Sequence, residues 1–360
     1  MEKEDISGVN IHPIAIRLLS WYSEYKRDLP WRNNNDSYQI WISEVILQQT
    51  RIDQGIGYYL RFLERFPNVA SLASASEEEV LKVWQGLGYY SRARNLHQAA
   101  RQIITHHNGI LPSSYHGLIS LKGVGAYTAA AVASIAFGLP HAVLDGNVFR
   151  VLTRLFAIET AIDSPIGRKM ISEIAQSLLP EEDPGSYNQA IMDFGALICT
   201  PLQPRCNACV LQESCMAYAK GDVTIYPIKE RKTKISNRYF HYFHILQGNH
   251  TYLQKRNQPG IWRNLYEFPM IETMQPADFM QLKQTDAFKE LFPEVTTLSF
   301  EPKLVLRHQL THQHIHTRFY QVEIPERVTF TPPSALFVTQ SEELHNYPVS
   351  RLMHKYLETI

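Results

Sequence analysis

Four cysteines lie close together near the middle of the chain and could hold an inorganic centre. Cys199, Cys206, Cys209 and Cys215 have the spacing C-x6-C-x2-C-x5-C and are the only cysteines in the sequence. A secreted protein stabilised by disulfides spreads its cysteines out to close long loops. Four clustered thiolates instead suit an iron–sulfur cluster or a structural zinc ion. Zinc ribbons usually pair two C-x2-C knuckles, whereas this run has one, which weighs against zinc without excluding it.

A carboxylate, Glu44, is the second candidate for chemistry. It lies in residues 38–50, YQIWISEVILQQT, where Ile42, Val45 and Ile46 would form a buried helical stripe with Glu44 at its edge. An arbitrary glutamate in such a position is usually exposed. A carboxyl held against an apolar face would instead keep its proton near neutral pH and act as a general acid. The helix pattern alone allows both interpretations.

A glycine-containing turn and a second carboxylate follow. Gly123 and Gly125 in LKGVGAYT precede a helix of small residues, and their N–H groups could hold a DNA phosphate. Taken alone, this pattern is more often a plain turn. Asp145 comes twenty residues after Gly125 and would open another helix. Asp145 is therefore either a simple N-cap or a catalytic carboxylate.

Two kinds of element must position these groups. From Pro13 to about Tyr218 the pattern predicts helices, with a capping box at Ser76-x-x-Glu79 and an N-cap followed by proline at Ser164-Pro165. The following residues, 220–238, are basic and aperiodic, which predicts a linker.

Beyond the linker the period changes to that of strands. Tyr239–Leu246 and Thr251–Gln254 flank Gly248-Asn249 and predict a hairpin. Residues 315–322 predict another strand, and residues 276–292 and 348–357 predict helices. The C-terminal part is therefore predicted to be an α+β domain.

Composition limits the class of protein. The chain has 360 residues, of which 44% are hydrophobic, enough for two or three packed domains. Lys+Arg and Asp+Glu both total 35, so any DNA binding must use local patches. The N-terminus has no basic segment followed by an apolar run, and nowhere do about eighteen apolar residues stand together. We therefore predict a cytoplasmic protein that does not enter a membrane; any association with the nucleoid would depend on DNA binding.

The order of these motifs resembles a known family. The glycine hairpin, the small-residue helix, Asp-Gly-Asn at 145–147 and the cysteine loop follow one another as in the endonuclease III superfamily of DNA glycosylases. The strings LPWR at 29–32, WISEVILQQT at 41–50 and GLGYYSR at 86–92 resemble the MutY adenine glycosylases in particular. The resemblance runs from about Leu29 to Cys215 and continues more weakly to the C-terminus.

The resemblance implies a multi-domain fold. Residues 1–219 would form an all-α helix–hairpin–helix glycosylase region, with a six-helix barrel at about 30–142 and an iron–sulfur domain formed by about 1–29 with 143–219. Residues 220–238 would link it to an α+β Nudix-like domain, 239–360, that senses 8-oxoguanine, and the domains together would clamp a duplex. The resemblance also implies that the four cysteines hold one [4Fe-4S] cluster, whose first role is structural.

The resemblance assigns catalytic roles as well. Glu44 would protonate adenine and Asp145 would stabilise the oxocarbenium ion, electrostatically or by a transient covalent bond. Tyr127 and Asn147 would hold Asp145 and the attacking water. Tyr127 occupies the position where bifunctional members carry a lysine that attacks the sugar. Since tyrosine cannot form that imine, we predict a monofunctional glycosylase.

DNA recognition is implied in the same way. The predicted partner is double-stranded DNA with 8-oxoguanine:adenine or guanine:adenine mispairs, bound by a monomer that flips the adenine out. Leu310 replaces the aromatic residue of the family's Phe-Ser-His loop, which weakens stacking, whereas Thr311 keeps the hydroxyl. The DNA-contacting residues implied are Gln49 and Tyr89 for the vacated gap, Gly123 and Gly125 for phosphate, Arg27, Trp31, Arg32 and Gln189 for the adenine pocket, and Leu310, Thr311 and His312 for the lesion.

The C-terminal domain is predicted to have no hydrolase activity of its own. Residues 278–292, DFMQLKQTDAFKELF, lack the glutamate-rich pattern with which Nudix hydrolases hold magnesium, so we predict no nucleotide pyrophosphatase activity.

Two other functions are possible for the whole chain. The first is an endonuclease III-type glycosylase/lyase, which Tyr127 and the C-terminal domain oppose. The second is a catalytically silent lesion-binding protein, which the presence of both Glu44 and Asp145 opposes.

Overall fold

The chain folds into two compact units. The computed structural model describes residues 11–32, 34–230, 235–293 and 298–360. One unit comprises Met1–Ser74 and Asn95–Lys232, and the other comprises Ala75–Arg94 and Thr233–Ile360. The second unit therefore contains a short segment from the helical half of the sequence.

In the described residues before residue 221, regular structure is helical, as the sequence predicts. Ser76 and Glu79 form the expected capping box, and Ser164 caps a helix that has proline in its first turn. The α-helices of this part are α1 (Pro13–Tyr25), α2 (Ser37–Leu47), α3 (Ile52–Arg65), α4 (Val69–Ser74), α5 (Glu77–Val83), α6 (Ser91–His107), α7 (Tyr115–Ile119), α8 (Ala126–Phe137), α9 (Gly146–Leu155), α10 (Pro165–Leu178), α11 (Pro184–Leu197) and α12 (Met216–Ala219).

Helix α2 is more deeply buried than its sequence pattern predicts. Residues 40–46 are all buried, where we expected one apolar stripe with Glu44 at its edge. The helix packs against both α3 and α8, so its polar side chains are enclosed as well. On α3, an added Cβ at Gly55 would lie 2.7 Å from Leu47 Cδ2, so the glycine permits the close approach of the two helices.

The core of the first unit joins distant parts of the chain. Leu18 and Trp21 of α1 pack with residues of α8, α9 and α11, including Leu152 and Phe194. Burying a side chain of this size contributes roughly 1.5–3 kcal/mol. This core holds α1, from the N-terminus, against helices more than a hundred residues away.

The predicted linker is partly structured. Val223–Ile225 forms a 3-10 turn, and Tyr226 is buried against Ala157 and Ala217 of the first unit. The first strand already begins at Ser236, inside the predicted linker. Residues 231–234 lie outside the described part of the chain. The aperiodic pattern between 220 and 238 therefore reflects an irregular but packed segment on the N-terminal side of that gap.

A mixed sheet forms the centre of the second unit. In the described residues its strand order is β3-β2-β1-β6-β5, with β4 also paired to β1 and β7 to β2. The predicted hairpin is confirmed by the antiparallel pairing of β1 and β2, whereas β1 and β6 run parallel. The strands are β1 (Ser236–Gln247), β2 (His250–Lys255), β3 (Tyr266–Glu267), β4 (Met270–Thr273), β5 (Phe300–Gln309), β6 (Gln313–Glu323) and β7 (Leu336–Gln340).

Helices cover the two faces of this sheet. Phe243 and Tyr320 pack with α13 (Phe279–Lys283) and α14 (Asp286–Leu291). On the other face Phe319 stacks on Tyr356 of α15 (Arg351–Leu357), with ring centroids 4.3 Å apart. The helices fall where the sequence predicts them, and the second unit is α+β as expected.

Candidate active site

A cavity of about 970 Å³ lies in the first unit. Residues of α2, of the hairpin before α8, of the start of α9 and of α11 line it. Tyr89, Leu310, Thr311 and His312 belong to the second unit and are described separately below. The other predicted site residues outside the cysteine loop all line this cavity: Arg27, Trp31, Arg32, Glu44, Gln49, Gly123, Gly125, Tyr127, Asp145, Asn147 and Gln189.

Glu44 has the environment of a general acid. Its side chain is only 7% exposed. Burial raises the pKa of Glu44 to about 7, and the nearby charge of Asp145 acts in the same direction, whereas the Tyr127 hydrogen bond and Arg32 oppose the rise. A carboxyl with this pKa is substantially protonated at neutral pH and can give its proton to a bound base.

Tyr127 contacts a different carboxylate from the one we expected. Its hydroxyl donates to Glu44 Oε2 over 2.7 Å and lies 3.4 Å from Met192 Sδ. We expected Tyr127 to hold Asp145. The hydroxyl reaches Glu44 because α8 packs directly against α2. Tyr127 therefore orients the Glu44 carboxyl group, and burial raises the pKa of Tyr127 well above the usual value, so it stays a donor.

Asp145 is both an N-cap and a cavity residue. Its Oδ1 accepts from the Val148 N–H at the start of α9 over 2.7 Å, and its Oδ2 accepts from Asn147 Nδ2 over 2.7 Å. Burial raises the pKa of Asp145, but these hydrogen bonds and the charge of Arg150 favour the anion. The two interpretations of Asp145 are thus compatible, because capping leaves the carboxylate in the cavity.

Arg150 connects this carboxylate to the cysteine loop, a link that sequence reasoning missed. Arg150 Nη2 donates to Asn147 Oδ1 over 2.8 Å, and Arg150 Nε donates to the Cys199 carbonyl over 2.7 Å. Arg150 is buried. The position of Arg150 on α9 does not indicate that its side chain reaches a loop about fifty residues away.

Asp193 is a second residue that the sequence did not single out. It is fully buried and accepts two hydrogen bonds from Arg32, at 2.6 and 2.9 Å, and one from Arg27. Although burial opposes the anion, hydrogen bonds from Arg32 and Arg27 lower the pKa of Asp193. The sequence feature that could have identified Asp193 is its position four residues after Gln189, because this spacing places both side chains on one face of α11.

Gln189 and Trp31 both line the cavity. Gln189 Oε1 accepts from the Tyr22 hydroxyl over 3.1 Å, which orients the amide. Trp31 is buried and packs edge to face on Tyr59, with ring centroids 5.2 Å apart. A cavity with an oriented amide and an indole is suited to a planar base that carries both donors and acceptors.

The glycine hairpin and Gln49 have unusual backbones. Gly123 has φ +76°, and an added Cβ would lie 2.5 Å from Asn95 Cβ, so a side chain would clash there. Gly125 is the N-cap of α8 with φ −92° and has nothing near its missing Cβ. Gln49 has φ +57°, a strained value for a residue with a side chain and one that clusters at functional sites.

The predicted lesion-contacting residues lie in the second unit together with Tyr89, which we expected to fill the gap left by the adenine. Leu310, Thr311 and His312 form the turn between β5 and β6, closed by the Leu310 N–H donating to the Gln313 carbonyl over 2.8 Å. Tyr89 has φ +49°, and its hydroxyl lies 2.8 Å from Thr311 Oγ1. Two residues that the sequence places 222 positions apart thus form one exposed polar pair.

The four cysteines are free thiols on one loop. Burial raises the pKa of Cys209 to about 11, and the charges of the three other cysteines act in the same direction. Within the described residues, no group of three or more His, Cys, Asp or Glu side chains is arranged for a metal ion. Four thiols on one loop nevertheless suit a cluster, which is larger than a single ion. Buried Arg154 lies 3.4 Å from Cys199 Sγ and would offset thiolate charge.

Comparison with known proteins defines the class first. The profile of the HhH-GPD superfamily of base excision DNA repair proteins matches residues 42–181, and the profile of the NUDIX domain matches residues 241–359. Together with the helical unit and the mixed sheet, these matches confirm the predicted fold class. In the described residues no helix is long and apolar enough to cross a membrane.

The chain belongs to the adenine DNA glycosylase family. It is 39% identical over 254 residues to the adenine DNA glycosylase of Buchnera aphidicola subsp. Baizongia pistaciae, covering 70% of this chain and 72% of that protein. It is 32% identical to the enzyme of Buchnera aphidicola subsp. Acyrthosiphon pisum, with 86% of each chain covered. It is 35% identical to the human adenine DNA glycosylase, covering 94% of this chain and 72% of the human protein.

Solved structures agree with this fold. A thermostable thymine-DNA glycosylase has a TM-score of 0.54 and 31% identity, covering 57% of this chain and 95% of that one. An endonuclease III in a non-covalent DNA complex has a TM-score of 0.50 and 22% identity, covering 58% and 94% of the two chains. Because the identity to the endonuclease III is only 22%, that match concerns the fold alone.

Proposed function

We propose that this enzyme hydrolyses the N-glycosidic bond of adenine mispaired with 8-oxoguanine or guanine. The observation that carries the proposal is the pair of carboxyl groups that line one cavity, Glu44 and Asp145. Burial raises the pKa of Glu44 to about 7, which favours its protonated form. Burial also raises the pKa of Asp145, but hydrogen bonds from Val148 and Asn147 favour its anion. Two carboxyl groups with such different partners suit an acid and an ion-stabilising group.

The proposed reaction begins with adenine in the cavity. Glu44, oriented by Tyr127, gives its proton to the base, at N7, as the bond from the sugar to N9 breaks. Asp145 then stabilises the positive charge that develops on the sugar. Water supplies the hydroxyl group that completes the hydrolysis, its released proton restores the Glu44 carboxyl group, and adenine leaves as the free base. Gln189, with one lone pair of its Oε1 engaged by Tyr22, can present its amide hydrogens to acceptor nitrogens of adenine.

The cavity also supports a monofunctional enzyme. A lyase needs an amine to attack the sugar. Among the described residues that line the cavity there is no lysine. Lys122 is exposed, and its backbone N–H is bonded to Gln102. Strand cleavage is therefore not part of the proposed reaction.

Tyr89 and Thr311 are proposed to inspect the base opposite adenine. Tyr89 is half exposed, and its strained backbone projects the ring from the turn that follows α5. The Thr311 hydroxyl beside it can hydrogen-bond an oxidised guanine. The proposed partner is accordingly a duplex with an 8-oxoguanine:adenine or guanine:adenine mispair, bound by one copy of the chain.

The experiment measures base excision on duplexes that contain 8-oxoguanine:adenine, guanine:adenine or guanine:thymine pairs. We expect adenine excision that is fastest opposite 8-oxoguanine, with strand breaks appearing only after alkali. Excision of thymine alone would instead favour the activity of the thymine-DNA glycosylase that the structure resembles. Strand breaks without alkali would contradict the monofunctional mechanism.

We further propose that Cys199, Cys206, Cys209 and Cys215 hold one [4Fe-4S] cluster. When bound, it would fix the C-terminal part of the first unit and supply structural rather than acid–base chemistry. Iron analysis should give about four iron atoms per chain, together with brown absorbance. Stoichiometric zinc without iron would contradict this proposal and support the zinc alternative.

A further inference from the structure

The turn that carries Tyr89 is flanked by two side chains that bind the same residue. The turn is Gly86-Leu87-Gly88-Tyr89, and its φ angles at Gly86, Gly88 and Tyr89 are +93°, +81° and +49°. A non-glycine residue persists in this region only where the surroundings hold it. Gln85 precedes the turn and Tyr90 follows it, both in the second unit.

Both side chains bind the backbone of Val349. The Val349 N–H donates to Gln85 Oε1 over 3.2 Å, and the Tyr90 hydroxyl donates to the Val349 carbonyl over 3.1 Å. The Tyr90 oxygen also accepts from the Gly86 N–H over 3.3 Å, so it closes the turn itself. Tyr90 and Val349 are buried, which protects these bonds from competition with water.

Val349 is itself attached to the sheet. It forms a parallel bridge with Tyr266 of β3, and the Tyr266 N–H donates to the neighbouring Pro348 carbonyl over 2.9 Å. A continuous set of contacts therefore runs from the sheet through Val349 to both ends of the turn. At the tip of the turn, the Tyr89 hydroxyl lies 2.8 Å from Thr311 Oγ1.

We propose that Gln85 and Tyr90 are positioning residues for lesion recognition. Their hydrogen bonds to Val349 hold the Tyr89 ring beside Thr311. In this way they set the preference for the base opposite adenine without contacting that base themselves. The inference rests on the proposed recognition of 8-oxoguanine. The hydrogen bonds to Val349 also attach the segment Ala75–Arg94, which lies within the range matched by the glycosylase profile, to the rest of the second unit.

Tyr90→Phe and Gln85→Leu test the inference in the full-length protein. Tyr90→Phe removes two hydrogen bonds and keeps the ring. The readout is the ratio of adenine excision opposite 8-oxoguanine to that opposite guanine, measured at subsaturating enzyme. We expect each variant to lower this ratio about five- to tenfold, the effect of one or two lost hydrogen bonds. The single-turnover rate at saturating enzyme on the 8-oxoguanine duplex should stay within about twofold of wild type.

Tyr347→Phe is the matched control, because it removes a hydroxyl of the same unit that donates to Thr339 rather than to Val349. Its ratio should equal that of wild type. A ratio that falls equally in all three variants, together with equal losses of thermal stability, would show a merely structural role and overturn the inference. A wild-type ratio near one would contradict the proposed function. A high wild-type ratio that survives in both Tyr90→Phe and Gln85→Leu would contradict only the inference.

Discussion

The cavity of the first unit and the Tyr89–Thr311 pair of the second unit differ in exposure. Glu44 is 7% exposed, whereas Tyr89 is 48% exposed. Proton transfer needs exclusion of water, since burial is what raises the pKa of Glu44. Inspection of a base needs groups that the DNA can reach. Substitutions in the cavity should therefore change the rate of the chemical step, and substitutions in the exposed pair should change the choice of substrate.

Glu44→Gln should have the largest effect. We expect the single-turnover rate of adenine excision to fall about 10³-fold, because the amide cannot donate the required proton. Binding to the 8-oxoguanine:adenine duplex should change little, which a gel-shift titration checks. Glu64→Gln, at an exposed position on α3, is the control and should keep the wild-type rate. A Glu44→Gln variant with near-normal excision would remove Glu44 from the mechanism.

Asp145→Asn comes next and separates capping from catalysis. Asparagine caps helices about as well as aspartate, so the fold should be retained. The excision rate should fall about 10²-fold, because the neutral amide stabilises a cationic sugar poorly. Asp183→Asn, at the N-cap of α11, is the matched control. If both variants keep full single-turnover activity, Asp145 serves only as a cap.

The pH dependence of excision should reveal the acid directly. The proposed acid, Glu44, would act in its protonated form, and its pKa is raised to about 7, so the rate should be level below that pH. Above it, the rate should fall about tenfold per pH unit as the proton is lost. Single-turnover rates between about pH 5.5 and 9 measure this decline in rate. A rate that stays constant through the alkaline range would show that Glu44 does not donate the proton.

Thr311→Val should have the smallest effect and should leave the chemical step unchanged. It removes the hydroxyl beside Tyr89. We expect the preference for adenine opposite 8-oxoguanine over guanine to fall about threefold, the effect of one hydrogen bond. Thr359→Val, exposed near the C-terminus, should leave the preference intact. A change in the saturated rate on both duplexes would contradict the separation between the two regions.

Local features were predictable because they depend on neighbours in the chain. The capping box at Ser76 and Glu79 and the N-cap at Asp145 each join residues three apart, so their spacing is enough to predict them. Strands β3, β4, β5 and β7 were not predicted, which shows the limit of local patterns. Strand β5, FEPKLVLRHQ, contains a proline and several charges because it lies at the edge of the sheet and is largely exposed.

The sequence by itself determined the residue types available for chemistry: two carboxylates, a tyrosine in place of a lysine and four clustered cysteines. Only the tertiary structure decided their partners. It joined Tyr127 to Glu44 and both Arg27 and Arg32 to Asp193, pairs that are 83, 166 and 161 residues apart. Spacing along a chain says nothing about contacts at such separations, because they depend on how whole helices pack.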